Sequence, residues 1–194
     1  MNDRDNKSQK GYLFIVSGPS GVGKTVLCNH IVKKFAPKVV YSISTTSRVP
    51  RGGETDGQEY NFCTSQEFET AIKQNAFAEW ASVHGNYYGT PRKFLTDEMN
   101  SGRHVVLNID VQGAMKIHGE YPEAIMIFIL PPSFEELENR IRKRNMDSEK
   151  SLKNRLENAR KELSYKEKYK YTIVNDDLEL AKADMENIFS EFVD

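Results

Sequence analysis

Residues Gly18-Pro19-Ser20-Gly21-Val22-Gly23-Lys24-Thr25 follow directly on the apolar run Leu13-Phe14-Ile15-Val16, and a helix-compatible stretch follows them. This order commits the chain to a buried strand, a tight glycine-rich turn and a helix in immediate succession. Glycines at 18, 21 and 23 let successive backbone N–H groups turn inward around an anion without Cβ clashes. The helix start adds unpaired N–H donors and partial positive charge. Lys24 supplies a mobile cation for β- and γ-phosphates, and the Thr25 hydroxyl suits Mg²⁺. With four positions fixed, a chance match in 194 residues is an event on the order of 1%. In this strand–loop–helix setting the motif reads as a nucleoside triphosphate site.

The rest of the chain alternates in the same way. Short apolar runs predict strands over 13–17, 39–42, 105–109, 126–130 and 172–175,. Longer amphipathic stretches predict helices over 25–35, 65–74, 93–101, 111–118, 133–144, 148–165 and 178–192,. Strands joined through helices imply an α/β fold whose parallel sheet is covered on both faces. Ligands then sit beyond the carboxyl ends of the strands, where the phosphate loop lies. Two regions interrupt the alternation. Residues 44–88 are polar, glycine-punctuated and rich in Arg, Tyr and Glu, and read as an inserted lobe with short antiparallel strands. Residues 140–160 are too charged for a core.

Several residues in these regions suit anion and base recognition. Arg48 and Arg51 flank Pro50, and two guanidiniums on a stiff turn can clamp a phosphate with paired N–H donors. Tyr60 and Tyr88 can add hydroxyls, and Glu54 can hold an arginine in place. The alternative is an exposed basic loop. Glu79 can accept two parallel hydrogen bonds from the N1–H and N2–H edge of guanine, a pair that adenine lacks. Read alone, the same segment also fits a solvated carboxylate at a helix end beside Trp80. Asp110, at the end of a predicted strand, suits the hydration shell of a metal or the acceptor, or a helix N-cap, and the roles are compatible. Arg140, Arg144 and Arg155 fit a mobile arginine-bearing flap. They fit equally well two exposed helices, because Glu136, Glu138, Glu157 and Glu162 alternate with the basic residues. Asn175-Asp176-Asp177 reads as a capping turn or a base-contacting loop.

Composition narrows the partners. A formal net charge of −1 gives no electrostatic case for nucleic acid or an anionic membrane,. Cys28 and Cys63 are too few for a disulfide framework and show no metal-ligand spacing with the histidines,. The polar first ten residues lack the apolar core of a leader, and no stretch reaches the ~20 apolar residues of a membrane span,. The expectation is a cytoplasmic protein with no obligate protein partner.

Taken together, these segments resemble the guanylate kinase family over nearly the whole chain. The resemblance rests on the loop 18–25, Ser44-Thr45-Thr46-Ser47-Arg48 with Pro50-Arg51 and Gly53-Glu54, and Tyr60-Asn61-Phe62. It continues through Glu79-Trp80, Asn86-Tyr87-Tyr88-Gly89-Thr90, Ile109-Asp110 with Gln112-Gly113, and Val174-Asn175-Asp176-Asp177. The pairing of the Arg48/Arg51 segment with Tyr87-Tyr88-Gly89-Thr90 is far more specific than the phosphate loop, which many families share. The resemblance implies transfer of the γ-phosphoryl of ATP to GMP, and also to dGMP, with Mg²⁺. It implies a P-loop NTPase fold with a parallel-sheet core (12–43, 97–139 and 165–194), an inserted mixed α/β GMP-binding lobe (44–96) and a helical lid (140–164), behind a flexible tail (1–11). By the same resemblance the loop 18–25 binds ATP, with Asn175 near adenine, Thr25 on Mg²⁺ and Asp110 reaching it through water. Arg48, Arg51, Tyr60 and Tyr88 hold the GMP phosphate, supported by Glu54, while Ser44, Glu79 and Thr90 surround guanine and Asp110 closes the acceptor site. Lys24, Arg48, Arg140, Arg144 and Arg155 carry the catalytic charge. Guanylate-kinase-like domains that bind peptides instead tend to lose the phosphate loop, whereas Lys24 and Thr25 are present here. Three positions depart from the family pattern: Asn108 stands where an acid is usual, Ser47 where Thr is usual, and Lys170 where Asp is usual.

Overall fold

A computed structural model describes residues 10–83, 85–144 and 149–193. The first part of the chain runs β1 (Leu13–Ser17), α1 (Lys24–Lys34), β2 (Val39–Tyr41), β3 (Thr45–Thr46), β4 (Asn61–Phe62), α2 (Ser65–Lys73), β5 (Phe77–Val83), β6 (Asn86–Pro91) and α3 (Arg92–Asn100). The second part runs β7 (His104–Asn108), α4 (Val111–Glu120), β8 (Ile125–Leu130), α5 (Phe134–Arg144), α6 (Glu149–Leu163), β9 (Tyr171–Val174) and α7 (Leu178–Ser190).

All five residues of β1 are buried, which an unbroken apolar strand achieves only in the middle of a sheet covered on both faces,. Strand order is β2-β7-β1-β8-β9, and every adjacent pair is parallel. The two-residue side-chain period divides the core between the faces. Phe14 and Val16 pack with Leu27, Ile31, Ile127 and Phe189 on one side. Leu13 and Ile15 pack with Leu95, Leu107, Ile117 and Phe128 on the other. Phe14 stacks on Phe189 of α7 with ring centroids 3.9 Å apart.

The inserted region forms a second sheet of order β4-β3-β6-β5. It is mixed rather than purely antiparallel, because β3 and β4 run parallel. The Arg48–Glu54 loop between them carries the chain back over the sheet, where a hairpin would have reversed it. Helix α2 starts on a capping box: Glu67 N–H donates to Thr64 Oγ1 at 3.2 Å and Thr64 N–H to Glu67 Oε2 at 2.7 Å,. It buries Phe68, stacked on Phe77 of β5 at 4.3 Å.

Residues 1–9 of the expected tail lie outside the described residues. Its last member, Gly11, belongs to the fold. Gly11 is buried, its N–H donates to Met99 O at 2.8 Å, and a Cβ would sit 1.9 Å from Arg103 O.

Phe14 is fully buried against α7, so Phe14→Ala is expected to remove about 3–5 kcal/mol of folding stability,. Urea unfolding of the two proteins measures it. A loss below about 1 kcal/mol would mean that the sheet–α7 contact is not a principal source of stability.

Candidate active site

The turn after β1 has the geometry its glycines permit. Gly18 has φ +145°, and a Cβ there would lie 2.3 Å from Ile129 O of β8. Gly23 has φ +100°, and its Cβ would lie 2.3 Å from Asn175 Nδ2. Val22, between the flanking turns, is fully buried and anchors the loop in the core. Gly23 caps α1 without a side-chain hydrogen bond, and no acid occupies the first turn. The helix start is therefore left receptive to an anion. Lys24 arches back over the loop, donating to Gly18 O at 2.6 Å and Pro19 O at 3.1 Å.

The loop is braced from the far end of the chain. Asn175 is buried, and its Nδ2 donates to Val22 O at 2.7 Å while its N–H donates to Leu130 O at 2.8 Å. Arg140 Nη1 donates to Asn175 O at 2.8 Å, and its Nε pairs with Glu136 at 2.9 Å. From α6, Arg155 Nη2 donates to Ser20 Oγ at 3.2 Å. Glu162 on the same helix is held above the usual carboxylate range by burial, against the pull of Lys24 and the Ser20 N–H. Arg144 ends α5, but its side chain lies outside the described residues.

Thr25 faces a cleft of about 420 Å³ that Tyr41, Ser44, Glu54, Tyr60 and Asn108 also line. Asn108, at the end of β7, donates from Nδ2 to Thr25 Oγ1 at 3.1 Å. Burial raises the Tyr41 phenol well above its ordinary pKa. Across the cleft, Glu54 gathers the arginine loop: Arg48 Nη2 donates to its Oε1 at 2.9 Å and the Arg51 N–H to its Oε2 at 2.7 Å. Those bonds hold Glu54 below the usual carboxylate range, Arg48 contributing most. The Arg48 guanidinium lies 5.4 Å from the Tyr60 ring centroid, and Tyr60 meets Tyr88 edge to face at 5.8 Å,. Glu54, Arg48, Tyr60 and Tyr88 are thus brought together.

Glu79 is neither at a helix end nor solvated. It lies in β5 opposite Thr90 of β6, is only 9% exposed, and accepts from Thr90 Oγ1 at 2.8 Å. Its carboxylate packs on the backbone of α4 at Gly113, where a Cβ would meet Oε2 at 3.0 Å. Burial pushes its pKa up; Thr90 opposes this, Asp110 adds to it, and Lys116 opposes it. Asp110 takes the N-cap role, accepting from Gln112 N–H at 2.8 Å and Gly113 N–H at 2.9 Å,.

The guanylate kinase family model matches residues 10–192. The chain belongs to the guanylate kinase family. It is 46% identical to the guanylate kinase of Caldanaerobacter subterraneus over 89% of this chain and 84% of that one. With the guanylate kinase of Syntrophotalea carbinolica it shares 48% identity over 93% of this chain and 85% of that protein. The crystal structure of guanylate kinase from Anaplasma phagocytophilum superposes with a TM-score of 0.75 at 34% identity, covering 96% of this chain and 88% of that one. As a guanylate kinase it is an ATP:GMP phosphotransferase, with the α/β fold and second mixed sheet described above.

Several residues of this guanylate kinase that border the site give no functional signal in the sequence, where Glu162 reads only as one of the acids alternating with basic residues. Tyr41 lines the cleft, Glu162 reaches the phosphate loop, and Arg92 and Lys116 bond the strand that carries Glu79. None belongs to a local motif. Among the described residues no helix is long and apolar enough to cross a membrane.

The raised pKa of Glu79 sets a sign for the pH dependence. If Glu79 reads guanine, its ionised carboxylate is the accepting form and protons compete with GMP. GMP affinity is expected to fall on acidification, starting above the pH at which an exposed Glu protonates,. Calorimetric titration of GMP between about pH 8 and pH 5 reads this as the difference between wild type and Glu79→Gln, which cancels protonation of the nucleotide. Parallel pH curves for the two proteins would exclude Glu79 as the titrating group.

Proposed function

We propose that this guanylate kinase holds ATP on the loop 18–25 and GMP across the cleft, and passes the γ-phosphoryl directly between them in line, without a covalent intermediate. The observation that carries this reading is the shared cleft. The hydroxyl of Thr25, next to the phosphate loop, and the Glu54–Tyr60 side of the arginine loop line one space of about 420 Å³. Two polyanions meeting there need neutralisation and alignment more than a base, because the GMP phosphate is already a charged nucleophile.

Lys24 and the N–H groups of the loop neutralise the β- and γ-phosphates. Arg48, Arg51, Tyr60 and Tyr88 fix the acceptor phosphate, and Glu54 keeps Arg48 aimed. Glu79 with Ser44 and Thr90 reads guanine, and Asp110 closes the acceptor side. Arg140, Arg144 and Arg155 contribute lid charge over the moving phosphoryl. Asn175 serves the ATP site by bracing Val22 O, in keeping with its 2.7 Å hydrogen bond. The residues suit Mg²⁺: the Thr25 hydroxyl borders the cleft beside Asn108, and no cluster of three His, Cys, Asp or Glu among the described residues competes for it. Thr25 would hold the ion with phosphate oxygens, and Asp110 through water, and the bound ion supplies further neutralisation of phosphate charge. The substrates of this reading are ATP with GMP or dGMP, and the protein acts in the cytoplasm without an obligate protein partner; the near-neutral net charge fits a protein that does not act on nucleic acid or an anionic membrane,.

Release of ADP from ATP and Mg²⁺, measured over a panel of nucleoside monophosphates, tests this reading. GMP and dGMP should be used far better than AMP, CMP or UMP. In the same assay Lys24→Ala, still folded, should lose about 100-fold or more in kcat. Turnover near the wild-type rate would refute its role.

The acceptor clamp should separate from the donor site. Arg48→Ala or Arg51→Ala should raise the KM for GMP about 10–100-fold and leave the KM for ATP within about twofold, as loss of a charge-assisted hydrogen bond implies. Equal losses for both nucleotides would remove these arginines from the acceptor site.

A further inference from the structure

Glu79 is held by more than its own hydrogen bond. The β5–β6 register shifts between Phe77 and Glu79, an irregularity that re-aims the following side chain,. On one side of Glu79, Phe77 O accepts from Arg92 Nη2 at 2.9 Å, and Asn75 O accepts from Arg92 Nε at 3.3 Å. On the other side, Trp80 O accepts from Lys116 Nζ at 2.8 Å. Arg92 is in turn paired with Glu120. Gly113, Lys116 and Glu120 lie three and four residues apart on α4 and so share one helix face,. That face meets the carboxylate at Gly113, the following carbonyl through Lys116, and Arg92 through Glu120. A cavity of about 210 Å³ lined by Phe77, Ala78, Glu79, Trp80, Arg92 and Lys116 lies in the same place. The pocket is open to solvent, so two cationic side chains and not core packing tie this stretch of the strand to its neighbours.

We propose that Arg92 and Lys116 are positioning residues for base selection: by holding the carbonyls on either side of Glu79 against α4, they fix its carboxylate at the spacing guanine requires. This rests on Glu79 being the group that reads guanine. The same helix begins at Asp110, so α4 carries the reference frame for both the base and the acceptor side. A carboxylate free to shift by about an ångström loses the alignment on which a two-point contact depends, while ATP, bound elsewhere, is unaffected.

The test compares kcat/KM for GMP and AMP, the KM for ATP and the melting temperature in wild type, Lys116→Met, Lys116→Arg, the Arg92→Met/Lys116→Met double variant and Glu79→Gln. The double variant should lose about tenfold in its GMP-over-AMP ratio, mainly through a higher KM for GMP, with the KM for ATP within about twofold. Lys116→Met should show a smaller loss in the same direction, and Lys116→Arg, which keeps a donor for Trp80 O, should restore it. If melting temperatures fall while the ratio stays at the wild-type value, the two residues only join the sheets and the proposal is overturned. Should the double variant fail to fold, Lys116→Met decides, because the side chain is exposed and its removal leaves the core intact; an unchanged ratio overturns the proposal. A Glu79→Gln variant that keeps the wild-type ratio would show that other groups read guanine, and the proposal falls with that reading. A Glu79→Gln variant that loses the ratio while both methionine variants keep it would overturn the positioning role alone.

Discussion

The backbone leaving β1 passes β8 so closely at Gly18 that Ile129 O occupies the space a Cβ would need. That crossing lies beyond the carboxyl ends of the central strands, and it turns the next residues toward solvent around an open helix start. Parallel pairing makes this possible, because it brings the carboxyl-terminal parts of β1 and β8 to the same edge, with Ser17 level with Phe128,. From that point outward, the positions of Thr25, Asn108 and the 420 Å³ cleft follow from strand register, with Val16 level with Asn108 on the neighbouring strand.

Glu54 and Glu79 illustrate how environment divides labour between like groups. Glu54 sits among N–H donors and is driven toward the charged form by Arg48 and the Arg51 N–H. Glu79 is taken out of water against the α4 backbone and is driven toward the neutral form, with Thr90 and Lys116 opposing. The first is spent internally, holding an arginine; the second keeps unsatisfied acceptor capacity, which suits a group whose partners arrive with a ligand.

What was legible in the sequence was local. The five core strands announced themselves as apolar runs, and the phosphate loop and the Arg48–Arg51–Glu54 turn each span fewer than ten residues, so spacing alone brings their members together. The second sheet was legible as an insertion but not in its pairing, because β3 meets β4 across a loop whose length does not dictate direction. Glu79 was ambiguous for the same reason: its burial comes from Gly113 and Thr90, and periodicity carries no information about a contact made by another element. Arg92 and Lys116 bond backbone carbonyls, which have no sequence signature on the accepting side. Gly11 gave no sign of burial, since its neighbours toward the N-terminus are polar and its partner is the carbonyl of Met99.

The hydrogen bond from Asn175 to Val22 O joins residues 153 positions apart. The loop that is complete as a motif within the first twenty-five residues is therefore not complete as an object until β9 has docked on β8. During synthesis the glycine-rich turn emerges early, but the amide that fits against Gly23 and fixes the loop's curvature arrives near the end. The final shape of the loop is in this way tied to the arrival of the last strand. A partly made chain has the residues of the loop without the amide that fixes its curvature.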